Sequence, residues 1–122
     1  MIGYVCLGTN DLPKAATFYD ELLATIGAKR IWETERMIAW GAAPTQCMLL
    51  MIKPYDGQKA TVGNGTMVAL SANSKAVVDA VYQRALALGA KDEGPAGARG
   101  DDFYAGYFRD PEGNKLAVFY TA

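Results

Sequence analysis

An internal repeat is the feature that most limits the fold of this chain. Gly27-Ala28-Lys29 recurs as Gly89-Ala90-Lys91, an offset of 89 − 27 = 62 residues, and both copies follow an apolar pattern of helical spacing that a glycine closes. Each half is predicted to contain one strand, one helix and three further strands, in that order. Duplication of one βαβββ module explains this order more simply than two unrelated domains.

Capping and turn signals separate the predicted elements. Asn10 and Asp11 offer N-caps to the first helix, which has Pro13 in its first turn, and Ser74 offers an N-cap to the second. The last two strands form a hairpin around Asp110-Pro111-Glu112-Gly113. The predicted strands are residues 2–8, 28–33, 37–41, 46–52, 66–72, one that begins at 91–93, 103–109 and 114–120, with the connection Ala43-Pro44-Thr45, a loop at 53–65 and a glycine-rich loop at 94–102.

The order of the elements predicts an α+β fold. Three strands that follow one strand and a helix cannot all be parallel, so each module is expected to be a mixed, curved sheet with its helix on the outer face. A single domain is predicted over residues 1–122, with module one at about 1–55, a linker at about 56–64 and module two at about 65–122. The two uncovered sheet faces are expected to enclose a cavity lined by alternate strand residues.

Composition excludes several classes of function. The 122 residues contain no histidine, which rules out imidazole nucleophile pairs, imidazole metal sites and a histidine pH switch. Twelve Lys and Arg against 13 Asp and Glu give no basic footprint for nucleic acid, and no segment predicts a membrane span. Cys6 and Cys47 lie in apolar runs and are expected to be buried, reduced thiols, so a cytoplasmic location is predicted.

Pairing in the last hairpin predicts which side chains line the cavity. If Asp110 pairs with Asn114, Tyr107 lies opposite Ala117 on the uncovered face. The same alternation places other side chains on the uncovered faces: Phe103, Ala105, Phe119, Tyr4, Cys6, Met67 and Ala69. An aromatic and thioether-rich surface suits flat or apolar organic molecules, with the phenols as polar groups. The alternative is that these side chains simply fill a core.

Arg99 and the two tryptophans are further candidates for ligand contact. Arg99, in the glycine-rich loop, either binds an anionic group at the mouth of the cavity or is solvated. Trp32 and Trp40 lie on adjacent predicted strands and either stack on a ligand or close the core. Trp40 is included among the candidate ligand residues.

Three motifs occur in a fixed order within the paired modules. They are Tyr4-Val5-Cys6-Leu7-Gly8 with Asn10-Asp11-Leu12 and Ala16-Thr17-Phe18-Tyr19, then Gly63-Asn64-Gly65-Thr66, then Arg109-Asp110-Pro111-Glu112-Gly113-Asn114-Lys115. Over essentially the whole chain they resemble the vicinal oxygen chelate superfamily. That group includes glyoxalase I, extradiol dioxygenases, fosfomycin-modifying enzymes and bleomycin-binding resistance proteins.

The resemblance implies where catalytic relatives hold a metal ion. Such relatives carry His or Gln at the position of Tyr4, His at that of Met67 and a carboxylate at that of Ala117, with a fourth ligand near Leu50. Tyr, Met, Ala and Leu do not supply a convergent set of metal donors. We therefore expect neither a metal nor another cofactor.

Together these observations predict a metal-free protein that captures a small hydrophobic or aromatic molecule. The resemblance to bleomycin-resistance-like proteins of this size implies a homodimer, without nucleic-acid or membrane partners. The alternative is an enzyme, either a lyase or dioxygenase relative with an unorthodox metal site or a metal-free catalyst with Tyr4 or Tyr107 as general acid. No cation is predicted beside either phenol.

Overall fold

The computed structural model describes residues 1–43 and 45–122. Pro44, in the predicted connection between the third and fourth strands, lies outside the described residues. The described residues form two helices and eight strands in two compact units, Met1–Val62 and Gly63–Ala122. The elements are β1 (Tyr4–Gly8), α1 (Leu12–Ala24), β2 (Lys29–Glu33), β3 (Met37–Gly41), β4 (Met48–Ile52), β5 (Val68–Ser71), α2 (Lys75–Ala87), β6 (Lys91–Ala98), β7 (Phe103–Arg109) and β8 (Lys115–Thr121).

Each unit is one four-stranded mixed sheet with one helix. The strand order is β1-β4-β3-β2 in unit one and β5-β8-β7-β6 in unit two. The first and last strands of each unit pair in parallel, and the other neighbours are antiparallel. The predicted α+β fold of two βαβββ modules is thereby confirmed.

The sixth strand differs from its prediction. It continues through the glycine-rich segment to Ala98, where a loop from residue 94 is predicted. Two register shifts, between Asp92 and Gly94 and between Gly94 and Gly97, accommodate the extra residues. Because β6 is an edge strand, Pro95 does not remove a hydrogen bond from the interior of the sheet.

Both helices begin and end at the residues that the capping signals indicate. The Asp11 carboxylate accepts a hydrogen bond from the Lys14 amide at 3.1 Å, and the Ser74 hydroxyl accepts one from the Val77 amide at 3.1 Å. Beyond the last turns, Gly27 and Gly89 have φ values of 79° and 99°, a conformation that glycine adopts without a steric penalty. The repeated tripeptide therefore marks the two helix C-termini.

The core of unit one lies between α1 and one face of its sheet. Tyr19 and Leu22 of α1 are fully buried, as is Met51 of β4. Trp40 of β3 is only 1% exposed, and its ring centroid lies 5.7 Å from that of Tyr19. Its indole Nε1 donates a hydrogen bond to Asp20 Oδ1 at 2.9 Å, so the buried polar atom is satisfied.

The core of unit two is built in the same way under α2. Val81 of α2 and Phe108 and Leu116 of the sheet are fully buried. Gly106 of β7 faces the helix, and a Cβ atom there would lie 3.1 Å from the Tyr82 ring and 3.3 Å from Ala96 Cα. A side chain at this position would press on the Tyr82 ring and on the Ala96 backbone.

Candidate ligand-binding site

The face of each sheet turned away from its helix is called here the helix-free face. In unit two, directly opposed residues share a face, and the pairs Tyr107↔Ala117, Ala105↔Phe119 and Phe103↔Thr121 alternate with residues that pack under α2. The register predicted from the Asp110 turn is confirmed, since Tyr107 pairs with Ala117 and the Asp110 amide donates to the Asn114 carbonyl at 2.8 Å. Four of the candidate ligand residues therefore share this face: Phe103, Tyr107, Ala117 and Phe119.

The helix-free face of unit two is largely aromatic. The rings of Phe103 and Phe119 stack with centroids 5.6 Å apart and an interplanar angle of 19°. Both rings and the Tyr107 ring are half-buried, so part of each is accessible. The small Ala105 and Ala117 between them are buried. Accessible flat rings beside short side chains form a surface on which another flat molecule can stack.

Two cations lie beside the Tyr107 ring. The Arg99 guanidinium carbon is 5.7 Å from the ring centroid, and Lys115 Nζ is 5.8 Å from it. Both distances are within the range of a cation–π contact. The expectation that no cation accompanies either phenol is therefore wrong for Tyr107. Lys115 is placed there by the alternation of β8, whereas Arg99 comes from the end of β6.

An ion pair extends this face toward the β7–β8 turn. Arg109 Nε donates a hydrogen bond to the Glu93 carboxylate, and this bond is the main cause that lowers the pKa of Glu93 below its ordinary value. The nearby positive charges of Lys115 and Lys91 act in the same direction. Glu93 is consequently a carboxylate at neutral pH and has its own partner.

The helix-free face of unit one is less charged. Tyr4 is 60% exposed, and Cys6 is exposed on the same face, paired with Leu50 of β4. Partial desolvation raises the pKa of the Cys6 thiol, which the charge of Arg36 opposes. The expectation of buried thiols is wrong, because Cys6 lies on the face without a helix and Cys47 precedes β4; both are exposed and free.

A β-bulge decides which tryptophan lies on this face. Regular alternation from the pair Arg30↔Trp40 would place Trp32 under the helix as well, but the register shifts after Arg30 and Trp32 pairs with Ala39. Trp32 is therefore on the helix-free face and 42% exposed. Trp40, the candidate from sequence, belongs to the core under α1. The sequence leaves the faces of the two tryptophans open, because no residue in β2 indicates the bulge.

Met67 is a partial exception among the candidates. It precedes β5, which begins at Val68 rather than at the predicted residue 66, and it is 43% exposed. The side chain therefore stands at the edge of unit two's sheet. The structure does not draw Met67 into the aromatic group of β7 and β8 through strand pairing.

The positions at which catalytic relatives hold a metal ion are divided between the two units. In unit one they are Tyr4, an exposed phenol, and Leu50, a buried hydrocarbon; in unit two they are the thioether Met67 and the methyl group of Ala117. Within the described residues, no three Asp, Glu, Cys or His side chains come together in a way that could hold a metal ion. The donor set does not fit the divalent ion of catalytic relatives.

One cavity lies on the helix side of the sheet in unit one, and a smaller one lies at the end of the sheet in unit two, where Phe103 also lines it. One, of about 370 Å³, is lined by Leu12 and Ala16 of α1, Ile38, and the charged Arg30 and Glu33. The other, of about 40 Å³, is lined by residues that include Lys75, Tyr104 and Asp101. None of the candidate residues on the helix-free faces lines the larger cavity.

Comparison with known proteins agrees with this architecture. The family model of the Glyoxalase/Bleomycin resistance protein/Dioxygenase superfamily matches residues 1–118. A solved glyoxalase/bleomycin resistance protein from Albidiferax ferrireducens T118 is 30% identical, with a TM-score of 0.91 over 100% of this chain and 99% of that chain. No curated protein gives a significant match.

A more distant solved structure carries a named activity. It is a lactoylglutathione lyase from Agrobacterium tumefaciens, 25% identical, with a TM-score of 0.72 over 98% of this chain and 92% of that chain.

Neither helix in the described part of the chain has the length and apolar character that a membrane span requires.

From the match over residues 1–118 and the shared fold, the chain belongs to the Glyoxalase/Bleomycin resistance protein/Dioxygenase superfamily.

Proposed function

We propose that this chain binds a small, flat aromatic molecule against the helix-free face of unit two, and that it does so without a metal ion. The observation that carries the proposal is the group of accessible rings on that face, Phe103 stacked with Phe119 and Tyr107 on the same side. Aromatic contacts of this kind contribute about 0.5–1.5 kcal/mol each beyond the area that they bury. Two or three such contacts would therefore add to the binding free energy that a small ligand gains from the area it buries.

The donor chemistry supports binding without a metal. Catalytic relatives need several nitrogen or oxygen ligands, and the equivalent positions here offer only the phenol of Tyr4, one thioether and two hydrocarbon side chains. A polar atom of the ligand would instead meet the Tyr107 hydroxyl, which can donate and accept a hydrogen bond. The proposed role is capture of the molecule by a homodimer, as in sequestration, sensing or detoxification.

A screen by thermal shift tests the proposal. Flat aromatic metabolites and antibiotics are added to the purified full chain, and a compound that binds the folded state raises its melting temperature. Tyr107→Ala and Phe119→Ala should each weaken a hit by about tenfold or more. Tyr104→Ala is the matched control, because Tyr104 lies on the opposite face of the same strand, where its hydroxyl donates to Asp79 at 2.7 Å.

The metal content of the purified protein distinguishes the proposal from the enzyme alternative. The proposal predicts substoichiometric Zn, Ni, Mn and Fe in the protein purified without chelator. One tightly held ion per chain, with lyase or dioxygenase turnover that a chelator abolishes, would contradict it. Absence of any hit in the screen would favour a plain core on this face.

A further inference from the structure

The charges beside Tyr107 indicate the chemical class of the ligand, and this inference rests on the proposed function. Arg99 and Lys115 place two positive charges 5.7 and 5.8 Å from the centroid of one accessible ring. Tyr107 itself lies on the face proposed to bind the aromatic molecule. A ligand stacked there would have its edge close to both cations.

Arg99 occupies a built position rather than a random surface orientation. Its Nη2 donates a hydrogen bond to the Pro95 carbonyl at 2.6 Å. Its guanidinium lies over two residues without side chains. A Cβ atom added to Gly94 would lie 3.5 Å from Arg99 Nη2, and one added to Gly97 would lie 3.3 Å from Arg99 Nη1. A Cβ on Gly94 would also lie 3.2 Å from the Tyr107 ring. The two glycines therefore leave the space in which the cation and the phenol ring meet.

The positive charge of Arg99 is not neutralised within the part of the chain that the structure describes. Its contacts there are carbonyl oxygens and an aromatic ring. Two other arginines show the contrast, because Arg30 pairs with Asp20 and Glu33 and Arg109 pairs with Glu93. Lys115 lies near the Glu93 carboxylate, which also pairs with Arg109, so one negative charge is shared between two positive ones.

We infer that the ligand is a planar aromatic anion, a ring that bears a carboxylate or a sulfonate. The ring stacks against Phe119 on the face that it shares with Tyr107, and the anionic group accepts hydrogen bonds from the Arg99 guanidinium and the Lys115 ammonium beside Tyr107. A guanidinium presents paired N–H groups that match a carboxylate. Lys115 is half-buried, which reduces the screening of its charge by solvent, whereas Arg99 is exposed.

A pair of probes of equal shape tests the charge preference. The probes are 2-naphthoate and its neutral amide, 2-naphthamide, titrated into the full chain at pH 7 with calorimetry. We expect 2-naphthoate to bind about tenfold more tightly than 2-naphthamide, as one charge-assisted contact would produce. The preference should decrease as the salt concentration rises.

Variants then locate the preference. Arg99→Gln and Lys115→Gln should each lower the affinity for 2-naphthoate more than the affinity for 2-naphthamide, and so remove most of the preference for 2-naphthoate. Arg99→Lys should retain part of it, since the charge remains and the planar donor group is lost. Lys75→Gln is the matched control, because Lys75 Nζ lies 5.8 Å from the ring of Tyr104 on the helix side of the same sheet. Melting temperatures of all variants verify that they are folded.

The outcomes separate this inference from the proposed function. Equal affinity for the two probes, or an undiminished preference in both Gln variants, would overturn the inference. Binding of 2-naphthamide in the same experiment would still support the proposed function. No binding of either probe would also contradict the inference, and the thermal-shift screen then decides the proposed function separately.

Discussion

The two modules share a backbone plan down to its irregularities, but they carry different chemistry. The bulge in β2 lies between Arg30 and Trp32, and the first register shift in β6 lies between Asp92 and Gly94, at the same offset of 94 − 32 = 62. The repeat therefore includes the bulge as well as the helix ends. Side chains at equivalent positions have diverged, and the backbone differs at a second register shift in β6, between Gly94 and Gly97.

The bulge positions show this divergence most clearly. In unit one the large Trp32 on β2 pairs with the small Ala39 on β3. In unit two the order of sizes is reversed, because Gly94 on β6 pairs with Tyr107 on β7. The reversal leaves room on unit two for the Arg99 guanidinium, and the helix-free face of that unit combines aromatic rings with the charges of Arg99 and Lys115.

The helix sides differ in a parallel way. In unit one Asp20 of α1 receives two hydrogen bonds from Arg30 of β2, at 2.9 and 2.7 Å. In unit two the hydroxyl of Tyr82 in α2 donates to Asp92 of β6 at 2.8 Å. Each module therefore joins its helix to its second strand through one carboxylate, which comes from the helix in one case and from the strand in the other.

The largest expected effect separates the two tryptophans of unit one. Trp40→Ala should lower the free energy of unfolding by about 3–5 kcal/mol, because it leaves a cavity under α1 and removes the hydrogen-bond donor to Asp20. Trp32→Ala should change it by no more than about 0.5 kcal/mol, as is typical of exposed positions. Urea unfolding measures both, and equal losses would contradict the assignment of the two residues to opposite faces.

Gly106 tests whether unit two accepts a side chain where unit one has one. Ile38 is the equivalent residue of β3. It comes directly before Ala39 in the chain, as Gly106 comes directly before Tyr107. Gly106→Ala should cost about 1–3 kcal/mol, because the new Cβ meets the Tyr82 ring and the Ala96 backbone. Gly3→Ala is the control, since nothing lies within 4 Å of its Cβ position. A neutral Gly106→Ala variant would show that the packing differs from this description.

Acid should weaken the carboxylate contacts of both modules. The hydrogen bond from Arg30 is the main cause that lowers the pKa of Asp20 below its ordinary value of 3.8, and the Tyr82 hydroxyl is the main cause that lowers the pKa of Asp92. A lowered pKa means that the stabilisation is present above the unfolded value and is lost as the pH falls through the folded value. The stability difference between the wild type and Asp20→Asn should therefore shrink below about pH 4. A difference that stays constant down to pH 2 would refute this coupling.

The smallest expected effect concerns one hydroxyl group on each face of β7. Tyr107→Phe should lower the affinity for an aromatic ligand by about three- to tenfold if the Tyr107 hydroxyl hydrogen-bonds to that ligand. Tyr104→Phe removes the hydrogen bond to Asp79 on the helix side and should leave ligand affinity unchanged. Calorimetry on the best compound from the screen compares the two, and equal losses would indicate an effect through the fold rather than through contact.

The sequence was sufficient for the fold because local signals coincide with the repeat. Capping residues, closing glycines and the Asp110 turn determine where elements begin and end, and a tight turn determines the pairing of the strands beside it. The faces of Tyr107 and Ala117 follow directly from that pairing. The predicted enclosure of a cavity by the two sheet faces stays a prediction.

The features that sequence reasoning missed depend on irregular backbone. The face of Trp32 depends on one bulge in β2, and the extent of β6 depends on two register shifts. The position of Arg99 beside Tyr107 requires the Gly94 and Gly97 positions to lie under it, which no periodic pattern predicts. A glycine opposite a large aromatic residue at a strand edge is the one signal that could have indicated this contact.

If an aromatic ligand binds to unit two without a metal ion, its affinity should not depend on added metal. Calorimetric titration of the best-binding compound into chelator-treated protein, repeated after one equivalent of Zn²⁺ or Ni²⁺ is added, measures this dependence. We expect saturable binding in the metal-free protein, with the same dissociation constant after the metal is added. Binding that requires the metal, or that strengthens by tenfold or more in its presence, would contradict it.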